Sequence, residues 1–339
     1  MNNQNNPHNI NIKPLGGIHH VTAITSSAEK IYDFYTTIMG MRLVKKTVNQ
    51  DDIHTYHLFF ADDEGNPGTD ITFFDFQGIP QHRRGTDDIA RTGFRVPSDA
   101  AISYWQKRFT HFNVRQEEVQ ELFGHKVLYF EDFDGQRYAL FSDEHDTGVA
   151  AGKPWLKGPV PDEYAIYGLG PVFLKARDLD RMDVALSNVL QMRKVSEAGT
   201  LTLYAMGEGG NGASVIVEED KVSRQGMQGY GAVHHLAFRV KDQDELDSWR
   251  ELFDRMNLPN SGFVDRFYFQ SVYTRLYPNI LFELATDGPG FINEEEGYEI
   301  LGETLDLPPR LKPMRQEIEA QIRHIDTTRS TLTFEKEYL

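Results

Sequence analysis

The chain has 339 residues, of which 40% are hydrophobic and none is cysteine, and its formal net charge is −16. The absence of cysteine excludes disulfides, thiolate metal ligands and a cysteine nucleophile. The acidic balance argues against nucleic acid or an anionic membrane surface as the partner. We therefore expect two domains or one duplicated architecture with a small-molecule partner, and any transition metal should be held by histidine and carboxylate.

The N-terminal segment, residues 1–16, is rich in asparagine, looks disordered and lacks the apolar core of a signal peptide. No later apolar run approaches the length of a membrane-spanning helix. We therefore expect a cytoplasmic protein. The sequence leaves open whether it forms a homo-oligomer.

The first folded unit has the order βαβββ. Residues 17–25 have the pattern of a strand, and residues 28–39 carry apolar side chains at helical spacing. Three further strands are predicted at 42–48, 55–60 and 70–76.

The same order recurs, so that four copies fill the chain. In unit two, a strand at 90–96 and a helix at 100–109 are followed by strands at 114–119, 126–130 and 137–141. In unit three, a strand at 167–174 and a helix at 179–190 are followed by a strand at 213–217. In unit four, a strand opening at 231 is followed by a helix at 243–256 and strands at 262–266, 270–277 and 280–285.

These elements divide the chain into 17–142 (units one and two), a linker at 143–163, 164–287 (units three and four) and a tail at 288–339. The tail contains a helix-like segment, Met314 to Ile322. Two interpretations of the tail remain open, a lid over a site and a terminal helix docked for stability.

Two pairs of adjacent histidines occupy matched strand positions, His19-His20 in unit one and His234-His235 in unit four. Successive side chains of a strand point to opposite faces, so one histidine of each pair can face a common pocket while the other packs or supports. Glu283 adds a carboxylate inside an apolar strand, where it would be costly without a partner. Two histidines and one carboxylate with free positions are typical of non-haem Fe(II) oxygenases.

Paired histidines that open the first and last of four βαβββ units resemble the vicinal oxygen chelate superfamily of glyoxalases, bleomycin-resistance proteins and extradiol dioxygenases. Within it, the chain is similar to the bacterial hydroquinone ring-cleaving dioxygenases over nearly its whole length. The shared motifs include Gly17 to His20, Tyr56 to Asp62, Asn66 to Thr69 and the Leu-Pro-Pro of the tail. The resemblance implies an α+β fold with two cupped sheets. The metal cup would pair unit one with unit four, and units two and three, which open without histidine, would form an empty cup.

The resemblance also implies roles for individual residues. The metal ligands would be His20, His235 and Glu283, because the family uses the second histidine of each pair. Catalytic roles near the metal would fall to His19, His234, Arg266 and Tyr273. Substrate contacts would come from Thr22, Phe74, Arg266 and Tyr273. For Arg266 and Tyr273 an ordinary salt bridge and a sheet-surface tyrosine remain alternatives, and His57 is expected to pack or to support the site.

The implied enzyme is an Fe(II)-dependent, extradiol-type dioxygenase that opens a hydroquinone-type aromatic with O2. Zn, Ni or Mn in place of iron in recombinant protein remains open. The alternatives are a glyoxalase-like isomerase or lyase and a non-catalytic aromatic-binding protein of the same fold. The isomerase would need a fourth protein ligand. Alignment of 279–283 with 70–74 places Phe74 opposite Glu283, whereas a slip of one residue would turn Asp75 inward.

Overall fold

The computed structural model describes residues 12–293 and 296–339. Residues 1–11 of the disordered-looking N-terminal segment lie outside the described residues. Among the described residues, no helix has both the length and the apolar character needed to cross a membrane.

Each unit opens with a strand that leads into a helix. Unit one contains β1 (Ile18–Ile24), α1 (Ala28–Asp33), β2 (Arg42–Asn49), β3 (Asp52–Ala61) and β4 (Asp70–Phe74). Unit two contains β5 (Asp88–Val96), α2 (Asp99–His111), β6 (Arg115–Gln116), β7 (Gln120–Leu122), β8 (His125–Glu131) and β9 (Arg137–Ser142). Unit three contains β10 (Gly168–Leu169), β11 (Val172–Ala176), α3 (Leu179–Asp183), β12 (Arg193–Ala198), β13 (Leu201–Ala205) and β14 (Ser214–Glu219). Unit four contains β15 (Val233–Val240), α4 (Gln243–Arg255), β16 (Val264–Asp265), β17 (Phe269–Tyr277) and β18 (Ile280–Pro289), and the tail adds α5 (Arg315–Gln321).

The starts of α1 to α4 follow from local chemistry. The side chain of a serine or aspartate accepts a hydrogen bond from a backbone N–H of the first turn, which satisfies a donor that has no partner within the helix. These capping residues are Ser27, Ser98, Asp178 and Asp242.

Two predicted helices have nearly the expected length but change their winding partway along. The segments predicted at 28–39 and 179–190 are α-helical only as far as Asp33 and Asp183, and a wider π-helical turn follows each of them. In the first, the N–H of Met39 donates to the carbonyl of Phe34 over 3.0 Å, five residues back. Apolar spacing predicts the existence of the helix but not this change of winding.

The strands of residues 12–293 and 296–339 form two sheets. Units four and one share an eight-stranded sheet with the order β16-β17-β18-β15-β1-β4-β3-β2, and units three and two share the other. The seam of the first sheet is the antiparallel pair β1 and β15, with Val21 opposite Leu236. The predicted α+β fold, with a cup that pairs unit one with unit four, is thereby confirmed.

The largest hydrophobic cluster joins side chains of both sheets to the helices and includes Trp105 of α2 and Trp249 of α4. The part of the tail from Asp306 to Ile318 packs on the outer edge of the first sheet, whereas its end contacts unit two, where the hydroxyl of Tyr104 donates to the carbonyl of Glu337. The N–H of Asp306 donates to the carbonyl of Lys46 on the edge strand β2 at 2.9 Å. An apolar cluster of Val48, Leu307, Leu311 and Ile318 completes the contact.

Candidate functional site

The three expected metal ligands converge at the seam of the first sheet. His20 lies on β1, His235 on β15 and Glu283 on β18, and all three are buried. The Nε2 atoms of His20 and His235 are 3.2 Å apart. Glu283 Oε2 lies 3.2 Å from His20 Nε2 and 2.9 Å from His235 Nε2. The pairing of Ala237 with both His20 and Glu283 on its two sides accounts for this convergence.

This triangle fits a single metal ion. Ligand bonds of about 2.0 to 2.2 Å at right angles place neighbouring ligand atoms about 3 Å apart. Glu283 Oε1 accepts a hydrogen bond from Ser271 at 2.5 Å, while Oε2 is buried with no aligned donor among the described residues. Burial opposes ionisation of Glu283, but His20 and His235 outweigh it and hold the pKa of the carboxyl well below its usual range. A buried, ionised oxygen beside two imidazole nitrogens is suited to a cation.

A β-bulge in each strand explains why the first histidine of each pair lies against the second. Ile18 pairs with Phe238 and His20 with Ala237, so His19 is an extra residue in β1. His234 is the extra residue in β15 by the same count. A bulge re-aims a side chain that strict alternation would send to the opposite face. In unit four both histidines line the cavity, so the expectation that only one of them faces the pocket is wrong there, whereas in unit one His19 lies behind His20 and supports it, as expected.

The first histidine of unit one fixes the protonation of the second. His19 Nε2 lies 3.0 Å from the carbonyl of Thr286 and must donate to it. Burial, helped by His20, lowers the pKa of His19 to about 3, so the ring is neutral and its Nδ1 is an acceptor. His20 Nδ1, at 2.9 Å, therefore donates to His19. In a neutral His20 the lone pair would then be on Nε2, where it could bind a cation held together with Glu283.

The pair in unit four has matching geometry. His234 Nδ1 and His235 Nδ1 are 2.8 Å apart. Burial, helped by His235, lowers the pKa of His234 to about 3. When His235 donates from Nδ1, neutral His234 keeps its own proton on Nε2. The His234 ring lines the adjoining cavity.

The cavity beside the triad has a volume of about 340 Å³. Much of its wall is aromatic or aliphatic and includes Phe59, Phe74, Phe76, Tyr268, Phe269 and Leu281. Its polar rim includes Asn49, Gln50, Asp51 and Arg266. Apolar walls with a few convergent polar groups suit a small aromatic ligand.

Of the residues expected near the substrate, Thr22, Phe74, His234, Arg266 and Tyr273 all line this cavity. His19 does not line it and lies behind His20. Arg266 Nε donates to the Tyr273 hydroxyl at 3.0 Å. Burial, reinforced by Glu283, raises the pKa of Tyr273, so the phenol stays protonated.

The position that matches Glu283 in unit one is Thr72, and the predicted alignment with Phe74 is wrong by two residues. Ala237 pairs with Glu283 just as its counterpart Thr22 pairs with Thr72. Thr72 Oγ1 donates to Thr22 Oγ1 at 2.8 Å. Asp75 is turned away from the cavity, where its carboxylate accepts hydrogen bonds from the Tyr56 N–H and from Arg323, both at 2.8 Å. The fourth position is therefore a neutral hydroxyl.

His57 also lines the cavity, a placement that the sequence pattern did not distinguish from ordinary packing. Its Nε2 is 2.9 Å from Thr72 Oγ1, and its ring lies between Phe59 and Phe74. Burial, then the nearby His20, lowers its pKa well below the usual value. The shared motif around Tyr56 was the only signal that could have found it.

Within the described part of the chain, the second cup has no comparable ligand set. Among the described residues, the His20, His235 and Glu283 group is the only cluster of three potential metal ligands. In the second sheet, the Arg91 guanidinium instead packs over the Tyr129 ring at 3.7 Å. The predicted confinement of the candidate site to units one and four agrees with this arrangement.

Comparison with known proteins shows the relatives of the chain. A sequence model described as the glyoxalase/bleomycin resistance protein/dioxygenase superfamily matches residues 17–140. MhqA of Bacillus subtilis (strain 168), whose name provisionally assigns it as a ring-cleaving dioxygenase, is 41% identical over 92% of this chain and 99% of its own length. The chlorohydroquinone/hydroquinone 1,2-dioxygenase of Sphingobium indicum is 32% identical over 89% of this chain and 94% of its own length.

The chain is also similar to solved structures. A Bacillus subtilis crystal structure, titled provisionally as a dioxygenase, matches with a TM-score of 0.84 at 34% identity, over 93% of this chain and 99% of that one. Glyoxalase I from Zea mays matches with a TM-score of 0.56 at 14% identity, over 80% of this chain and 92% of that one, which is a likeness of fold alone.

Proposed function

Because the chain belongs to the glyoxalase/bleomycin resistance protein/dioxygenase superfamily, and within it to the family of the bacterial ring-cleaving dioxygenases, we propose that it is a metal-dependent enzyme that opens a hydroquinone-type ring with O2. The observation that carries the proposal is the triad of His20, His235 and Glu283 beside an aromatic-lined cavity. Three protein ligands leave positions for substrate and oxygen on one ion.

We assign His20, His235 and Glu283 as ligands of Fe(II). When bound, the iron would supply the one-electron chemistry that O2 needs to react with an aromatic ring. The neighbouring histidines keep the ligands ready, because His19 accepts the Nδ1 proton of His20 and His234 is placed to do the same for His235.

Tyr273 and His234 are assigned to the phenolic oxygens. The Tyr273 oxygen accepts a hydrogen bond from Arg266, so its own proton is available to a ligand in the cavity. His234 Nε2 offers a second proton from the cavity wall. Phe74 and Phe269 provide apolar surface for the ring and exclude water from it.

The two alternatives each lack a supporting observation. A glyoxalase-like isomerase would need a fourth protein ligand, but Thr72 stands opposite Glu283 and Asp75 is paired elsewhere. A non-catalytic binder of aromatics would have no use for the ionised, buried Oε2 of Glu283.

The proposal is tested by oxygen uptake. Protein loaded with Fe(II) under anaerobic conditions should consume O2 with a panel of hydroquinones and give a strongly absorbing, ring-opened product. If fully loaded protein takes up no oxygen with any hydroquinone or catechol, yet isomerises methylglyoxal with a thiol, the alternative isomerase function replaces this one.

A further inference from the structure

The turn between β2 and β3 reaches across the mouth of the cavity to unit four. Gln50 Nε2 donates to the backbone carbonyl of Arg266 at 2.8 Å. Asp51 Oδ2 accepts a hydrogen bond from Arg266 Nη1 at 3.0 Å. Gln50, Asp51 and Arg266 all line the cavity. Asp51 and Arg266, which are 215 positions apart in the chain, therefore link units one and four at the rim.

The Arg266 guanidinium donates one hydrogen bond at the rim of the cavity and another in its interior. Nη1 is directed to Asp51, while Nε donates to the Tyr273 hydroxyl at 3.0 Å. The guanidinium is a rigid planar fork, so an acceptor that fixes one nitrogen also fixes the direction of the others. With Nη1 directed to Asp51, Nε is the nitrogen that meets Tyr273.

The direction of the Tyr273 proton depends on this arrangement. A phenol oxygen that accepts from Arg266 Nε directs its own O–H elsewhere, and Tyr273 lines the cavity. If the guanidinium rotated, its Nη atoms would compete for the same phenol oxygen or enter the cavity themselves.

We propose that Asp51 is a positioning residue: it holds Arg266 across the mouth so that the Tyr273 hydroxyl donates its proton to a phenolic oxygen in the cup. The inference rests on the proposed function only for the presence of a phenolic oxygen on the ligand. Gln50 secures the same link from the backbone side. It is held in turn by Arg310 of the tail, whose Nη2 donates to the Gln50 carbonyl at 2.7 Å and to its Oε1 at 3.2 Å.

The test is a double-mutant cycle on ligand binding that needs no turnover. The probe is 4-nitrophenol, whose phenolate absorbs visible light, titrated into zinc-loaded protein. Asp51→Asn should weaken binding about threefold, a size that fits an ion pair whose carboxylate is 69% exposed. In the Tyr273→Phe background the same substitution should have no effect, because the hydroxyl through which Asp51 acts is gone.

An increase in probe affinity on Asp51→Asn would contradict the proposal. If Asp51 acted only as a negative charge near an anionic ligand, its removal would strengthen binding in both backgrounds. Stronger or unchanged binding by Asp51→Asn, or equal weakening with and without Tyr273, overturns the proposal. The binding measurement supports or contradicts the role of Asp51 whether or not the protein opens hydroquinones. A failure of this proposal can therefore be told apart from a failure of the proposed function.

Two further variants separate charge from structure. Asp51→Glu keeps the carboxylate and should bind the probe nearly as well as the parent; a loss equal to that of Asp51→Asn contradicts a role for the charge. Glu319→Gln removes the same charge from another exposed ion pair, in which Arg315 Nη1 lies 3.0 Å from Glu319 Oε1 in the tail. That control should leave binding unchanged.

Discussion

The carboxylate of Glu283 is the residue on which metal binding should depend most. Glu283→Gln keeps the side-chain size but removes the ionised oxygen that lies between the two imidazole nitrogens. We expect purified protein to lose tightly bound metal, measured by elemental analysis after desalting. Asp75→Asn should retain it, because Asp75 is paired with Arg323. Loss of metal from Asp75→Asn would contradict the three-ligand site.

His19 should affect metal affinity without touching the ion. His19→Phe removes the acceptor of the His20 Nδ1 proton, and such supporting partners typically change metal affinity by about 10- to 100-fold. Competition with a chelator measures the change. The control is His82→Gln, since His82 pairs with Asp88 at 2.7 Å outside the cup. Equal affinities for His19→Phe and the parent would rule out this supporting role.

The residue pattern predicted the candidate ligands and a supporting role for their neighbours, but not the bulges that place those neighbours. Duplicate His-His pairs and a carboxylate in an apolar strand are visible in the sequence, and they led to His20, His235 and Glu283. The choice of the second histidine came from resemblance, whereas its physical basis, the bulges at His19 and His234, depends on pairing between distant strands. Asp51 gave no signal, because its contact with Arg266 forms only when units one and four meet.

At the scale of elements, a buried ion cluster joins the tail to the edge strand β2. Lys45 is fully buried, and its Nζ contacts Glu296 and lies 2.9 Å from Asp306 Oδ2. The hydroxyl of Tyr268, on the wall of the cavity, donates to the same oxygen of Asp306 at 3.0 Å. The tail therefore braces the cup from outside, which favours the docked arrangement over a lid.

Lys45→Met should be strongly destabilising. It leaves two buried carboxylates without their cation, and breaking a buried pair in this way costs about 3 to 5 kcal/mol. Urea unfolding measures the free energy of unfolding. Lys153→Met, which removes an exposed lysine paired with Glu64, should change it by less than about 0.5 kcal/mol. If both variants unfold alike, the buried cluster is not what holds the tail.

Elements with a clear period were predictable, and the others were not. The opening strands of all four units and the helices of units two and four lie close to their predicted positions. The strands β12 and β13 were missed. All residues of β12 are exposed, so they show no alternation of apolar and polar side chains. A bulge between Lys194 and Ser196 further disrupts the period.

At the scale of the whole molecule, duplication has produced two sheets of similar construction, and the residues that the structure describes contain one candidate metal site. Each sheet joins one unit from the first half of the chain to one unit from the second half. The candidate site draws His20 from the first half and His235 and Glu283 from the second. No single half holds the full ligand set, so the site should depend on association of the halves.

A split protein tests this dependence. The chain can be divided after Thr147, which is exposed in the segment that links the halves. Neither fragment alone should bind metal tightly, because each lacks at least one ligand and exposes the seam strand β1 or β15. Co-expressed fragments should elute together on size exclusion and regain metal, since the two antiparallel seams, β1 with β15 and β5 with β11, are formed between the halves. A matched co-expression with His20→Ala in the first fragment should associate but lose tight metal binding. Stoichiometric metal in the isolated second fragment would show that His20 is dispensable and that the cup is not a joint product of units one and four.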